Sequence, residues 1–148
     1  MSIILKKKYG QNFLIDKNIL NKISSLIHKK NCSILEIGPG DGRLTDKIIL
    51  KKPSKLTLIE IDKDLIASLK KKYAHLEKVT LINADILDLK LNDKYELVIS
   101  NLPYNISSQV LVKLSTLKIN PDVLVLMFQK EFADRLLERK LNSINSLV

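Results

Sequence analysis

The feature that most constrains this chain is an alternation. Short apolar runs recur along it, and each is followed by a turn and then by a segment with helical spacing. The runs are Ser33–Ile37, Lys55–Ile61, Val79–Ile82, Tyr95–Ser100 and Val123–Phe128. Helical patterns fill Arg43–Leu50, Lys63–Tyr73 (Leu65, Ile66 and Leu69 on one face) and Lys130–Arg139. Another carries Val110, Leu111 and Leu114 behind a cap at Ser107 or Ser108. Ahead of them, Asp16 caps a helix to about Lys29, with Ile19, Leu20, Ile23, Leu26 and Ile27 at helical spacing. Strands joined through helices need crossover connections, so the sheet is parallel. The strands are apolar runs rather than alternations of apolar and polar residues, as expected when helices cover both faces. The predicted fold is α/β, an open doubly wound sheet.

The chain has 148 residues, enough for one domain, and no repeat or Pro/Ser-rich linker divides it. Residues 1–15 read as a basic arm and 16–148 as the α/β core. Lys and Arg total 25 against 16 Asp and Glu, a net charge of +9. Such an excess attracts polyanions, nucleic acid among them. Several lysine runs also fall where helices end and suit the helix dipole without any ligand, so charge alone leaves both readings open. Cys32 is the sole cysteine, which excludes an intrachain disulfide and fits a reducing compartment. His28 and His75 are isolated, and no metal site is expected. The apolar runs fall short of a membrane span. A cytoplasmic protein with no membrane or metal partner is the expectation.

In open α/β sheets ligands sit at the carboxyl ends of the strands, where strand order reverses. The first run is followed by Glu36-Ile37-Gly38-Pro39-Gly40-Asp41-Gly42. Glycines at alternate positions permit positive φ and close approach of a ligand, although a Gly-rich turn alone is a weak signal. The dinucleotide fingerprint G-x-G-x-x-G is not met, because Arg43 stands where the third glycine belongs. The second run ends in Glu60-Ile61-Asp62, where an acid can accept hydrogen bonds from both ribose hydroxyls of an adenosine. Asn83-Ala84-Asp85-Ile86 follows the third run. A carboxylate there can accept from an adenine amine, though an Asp in a turn is more often a cap. Asn101-Leu102-Pro103-Tyr104 follows the fourth. The Asn101 amide oxygen and the Leu102 carbonyl are two acceptors for the hydrogens of a planar amine, and Tyr104 offers a face for base stacking. In isolation this is an ordinary Asn-x-Pro turn; beside three other polar strand ends the functional reading is the better one.

With these motifs in order, the chain resembles the ribosomal RNA adenine N6,N6-dimethyltransferase family. The resemblance also includes Tyr9-Gly10-Gln11-Asn12-Phe13-Leu14, Asn105-Ile106-Ser107 and Met127-Phe128-Gln129-Lys130-Glu131, and runs from about Lys8 to Leu137. It implies a class I, Rossmann-like methyltransferase fold with S-adenosyl-L-methionine as cofactor. Gln11, Asn12 and Leu14 would cover the cofactor, and Gly38 and Gly40 would lie against its methionine part. Glu60 and Ile61 would bind at the ribose, and Asp85 and Ile86 at the adenine. Asn101 would face both the cofactor and the target amine, with Leu102, Pro103 and Tyr104 completing the catalytic segment. The implied activity is transfer of methyl groups to the N6 amine of two adjacent adenosines near the 3′ end of small-subunit ribosomal RNA, during ribosome biogenesis. The implied partner is that RNA or a precursor of the small ribosomal subunit, and the full-length enzyme would be a monomer.

Five parallel strands are fewer than the seven of the usual methyltransferase sheet. The helical C-terminal domain of the resembling family is also expected to be missing. The chain is therefore expected to be a truncated form that can bind cofactor and still be inactive alone. Two other functions fit the pattern less well. One is a large-subunit adenine N6-methyltransferase of the macrolide-resistance type, which more often has Ile at the position of Leu102. The other is a non-catalytic RNA-binding relative, which the intact Asn101–Tyr104 segment disfavours.

Overall fold

A computed structural model describes residues 14–28, 30–102, 105–118 and 120–145. The predicted contacts Gln11, Asn12, Pro103 and Tyr104, and the arm up to residue 13, lie outside the described residues.

The elements are α1 (Lys17–Ser25), β1 (Ser33–Ile37), α2 (Arg43–Ile49), β2 (Lys55–Glu60), α3 (Lys63–Tyr73), β3 (Val79–Asn83), β4 (Leu97–Asn101), α4 (Ser107–Ser115), β5 (Val123–Met127) and α5 (Lys130–Asn145). The strands form one sheet in the order β3-β2-β1-β4-β5, and every pairing is parallel. After β1 the chain builds outward through β2 and β3, then returns to lay β4 and β5 on the other side. The reversal falls between β1 and β4, where Ile37 is in register with Ser100.

Period-two alternation sends the strand side chains to two faces. Ile34, Leu56, Leu58 and Ile99 join Leu20 and Ile23 of α1, Leu44 and Ile48 of α2, and Leu69 of α3 in one core. Leu35, Ile37, Ile59 and Val98 join Val110 and Leu114 of α4 in the other. Helices on both faces are what the unalternated apolar runs require.

Several boundaries differ from the sequence expectation. Asp16 caps α1 as predicted, its Oδ1 accepting from the N–H groups of Asn18 at 2.8 Å and Ile19 at 3.3 Å. The helix stops at Ser25 rather than near residue 29, because the next N–H groups tighten onto carbonyls three residues back, Leu26 to Ile23 and Ile27 to Ser24. Neither serine caps α4. Its N-cap is Ile106, already in the right-handed helical region and without a side-chain cap bond, so Ser107 falls inside the first turn. The second strand ends at Glu60, leaving Ile61 in the following turn, whereas the third and fourth extend to Asn83 and Asn101. α5 continues past residue 139 to Asn145, since neither Gly nor Pro interrupts that stretch.

Candidate functional site

The turns after β1, β2, β3 and β4 open onto one cavity of about 330 Å³. That is the lower end of the range that holds a small organic ligand. It sits at the carboxyl edge of the sheet and spans the β1–β4 switch point. Of the predicted cofactor contacts, Leu14, Gly38, Gly40, Glu60, Ile61, Asp85, Ile86 and Asn101 all line it, as does Leu102.

The Gly-rich turn forms the floor. Gly38 has φ +68°, and a Cβ there would come no nearer than 4.0 Å to the Asn101 carbonyl. The restriction at Gly38 is therefore the left-handed backbone, not crowding. The start of the turn is tied down by Gly38 N–H donating to the Ile59 carbonyl at 2.9 Å. The buried Ser100 hydroxyl donates to the Ile37 carbonyl at 2.6 Å.

Glu60 closes one side. It is 5% exposed, and its oxygens accept from Gly40 N–H at 3.2 Å and Asp62 N–H at 3.0 Å. Burial raises its pKa, opposed by those two N–H groups. A carboxylate has about four acceptor sites, so these bonds leave capacity for a ligand's hydroxyls. Asn83 braces the neighbouring backbone, its Nδ2 donating to the Glu60 carbonyl at 2.8 Å and the Ile61 carbonyl at 3.2 Å.

Asp85 is half-buried and both lines the cavity and shapes its own turn, Oδ1 accepting from Leu87 N–H at 2.9 Å. Ile86, 4% exposed, gives the apolar wall beside it. Asn101 is half-buried at the end of β4, and Leu102 is packed into the core behind it. Leu14 meets the cavity rim from the segment before α1.

Sequence reasoning assigned no role to Glu36, Asp41, Arg43 or Asn105, which also line the cavity. Arg43 pairs with Asp41 at 2.8 Å. Glu36 is 1% exposed, and its Oε2 accepts from the Thr45 hydroxyl at 2.7 Å. Burial pushes its pKa up to about 8, with Thr45 opposing and Asp46 and Glu60 adding to the rise. The signal for it was present: an acid inside the apolar run Ile34-Leu35-Glu36-Ile37 must be buried with a partner or neutralised.

The sequence model of the ribosomal RNA adenine dimethylase family matches residues 4–147. Ribosomal RNA small subunit methyltransferase A of Pelagibacter ubique (strain HTCC1062) is 46% identical over 150 residues, covering 97% of this chain and 56% of that protein. The protein of that name from Mycoplasmopsis synoviae (strain 53) is 46% identical over 143 residues, covering 95% of this chain and 54% of its own length. The chain thus spans about half the length of the curated relatives it matches. Among solved structures, a dimethyladenosine transferase from Plasmodium falciparum superposes with a TM-score of 0.77 at 35% identity, over 85% of this chain and 46% of that one. The 23S rRNA methyltransferase ErmE superposes with a TM-score of 0.73 at 27% identity, over 82% and 50%. A match across nearly the whole chain, on a sheet of the same build, shows that the chain belongs to the ribosomal RNA adenine dimethylase family.

Proposed function

We propose that this protein transfers methyl groups from S-adenosylmethionine to the N6 amine of adenosines in small-subunit ribosomal RNA, two adjacent ones near the 3′ end. The observation that carries the reading is the meeting of four successive strand ends at one cavity. The donor chemistry of that cavity fits the cofactor. Gly38 and Gly40 leave an open floor for the methionine part. The Glu60 carboxylate suits two ribose hydroxyls, and Asp85 with the Ile86 wall suits an adenine with its amine.

When bound, the cofactor supplies an electrophilic methyl group on a sulfonium. The target adenine leaves its stack, at a cost of a few kcal/mol. Its amine is a weak nucleophile because the lone pair is delocalised into the ring. The Asn101 side chain and the Leu102 carbonyl would accept the amine hydrogens and direct the lone pair towards the methyl position. As the N–C bond formed the S–C bond would break, the cofactor would leave as the neutral thioether S-adenosylhomocysteine, and the nitrogen would give up one proton to solvent. Tyr104 would offer its ring to the base. The arm carrying Gln11 and Asn12 would cover the cofactor together with Leu14. Positioning and fixed dipoles supply most of the acceleration.

The test is methyl transfer by the full-length protein from labelled S-adenosylmethionine to undermethylated small and large ribosomal subunits. Label in two adjacent adenosines near the 3′ end of small-subunit RNA is expected. Label confined to the large subunit would reassign the substrate, and label in neither would favour a binding role.

A further inference from the structure

The Gly-rich turn is fastened at its start by β2 and β4; its far end is held by Tyr73, the last residue of α3. The Tyr73 hydroxyl lies 2.9 Å from the Gly42 carbonyl and 2.8 Å from Asp46 Oδ1, and the residue is 4% exposed. A phenol has one hydrogen, so these two acceptors share it. Asp46 Oδ2 takes Lys72 Nζ at 2.7 Å, and that ammonium stands 5.2 Å from the Tyr73 ring centroid. Burial, followed by the Asp46 carboxylate, drives the phenol far above its ordinary range, so it remains a donor. The fit is steric as well. Gly42 has φ +83°, and a Cβ on it would stand 2.5 Å from the Tyr73 hydroxyl and 3.1 Å from Leu69 Cδ2. A tyrosine that only filled the core would be matched there by phenylalanine.

We propose that Tyr73 is a positioning residue: its hydroxyl, acting through the Gly42 carbonyl, holds the Gly38–Gly42 turn in its ligand-receiving shape, although Tyr73 does not itself line the cavity. The proposal rests on the reading of that cavity as the S-adenosylmethionine site.

The test compares full-length wild type with Tyr73→Phe, Gly42→Ala and the double variant. Affinity for S-adenosylmethionine is measured by calorimetry well below the melting temperature, alongside amide hydrogen exchange of the ligand-free proteins. Tyr73→Phe should weaken binding about fivefold to tenfold, the effect of one lost hydrogen bond. It should also speed exchange at residues 38–42 while leaving the centre of the sheet protected. Gly42→Ala should bind more weakly still. Because removing the hydroxyl makes room for the new methyl group, the double variant should recover part of that loss. Tyr73→Phe with wild-type affinity and wild-type exchange would overturn the proposal. If the wild type binds no S-adenosylmethionine, the cofactor reading fails, and loop exchange in Tyr73→Phe still decides whether the latch exists.

Discussion

The Thr45 hydroxyl donates to Glu36 Oε2 at 2.7 Å, joining the first turn of α2 to the carboxyl end of β1, with both side chains buried. Burial raises the Glu36 pKa from 4.5 to about 8, which makes folding depend on pH. Below about pH 4.5 both folded and unfolded chains hold the proton, and the contribution to stability is complete. Between there and about pH 8 the folded state binds more protons than the unfolded one, so stability falls as pH rises. The limiting slope is about 1.4 kcal/mol per pH unit. Glu36→Gln keeps an acceptor for Thr45 and removes the titration. Its melting temperature relative to wild type should therefore climb steadily from pH 5 to pH 8. A difference that stays constant over this range would show that Glu36 is ionised throughout.

Asn101 ends β4 at the cavity, and the account gives it the task of orienting the amine. Asn101→Ala in the full-length protein should leave the melting temperature close to wild type. The transfer rate should drop by about 100-fold to 1000-fold, as when one preorganised polar group is removed. A rate within a few-fold of wild type would refute that task.

RNA binding should be governed by the basic excess of +9. Log affinity should fall linearly with log salt concentration, with a slope of about −0.7 to −0.9 for each phosphate neutralised. Filter binding from about 50 mM to about 200 mM salt reads this directly. A flat profile would assign RNA recognition to uncharged contacts instead.

How much of this is legible in the sequence depends on how local the determinant is. α3 was readable to the residue, because Asp62 caps it and Leu65, Ile66 and Leu69 mark its buried stripe. The end of α5 was not, since no Gly or Pro stops it and propensity alone sets no boundary. Ser107 misled because a serine near a helix start competes as a cap, while the turn at Ile106 had already entered helical geometry. The strand ends that face the cavity were legible through the switch-point rule, which converts chain order into a place. Tyr73 was not, because its partner Gly42 lies 31 residues upstream and nothing local to α3 points there.

The methyl donor is proposed to enter this cavity and no other surface. Gly40 N–H donates to Glu60 Oε2 at 3.2 Å in the cavity wall, so Glu60 belongs both to the turn and to the proposed ribose contact. The most direct measurement is calorimetric titration of the full-length protein with S-adenosylmethionine, in wild type, Glu60→Ala and Asp85→Ala. The account predicts one site per chain, weakened at least about tenfold in Glu60→Ala by loss of a charge-assisted acceptor, and weakened in Asp85→Ala. Wild-type affinity in both variants would contradict it.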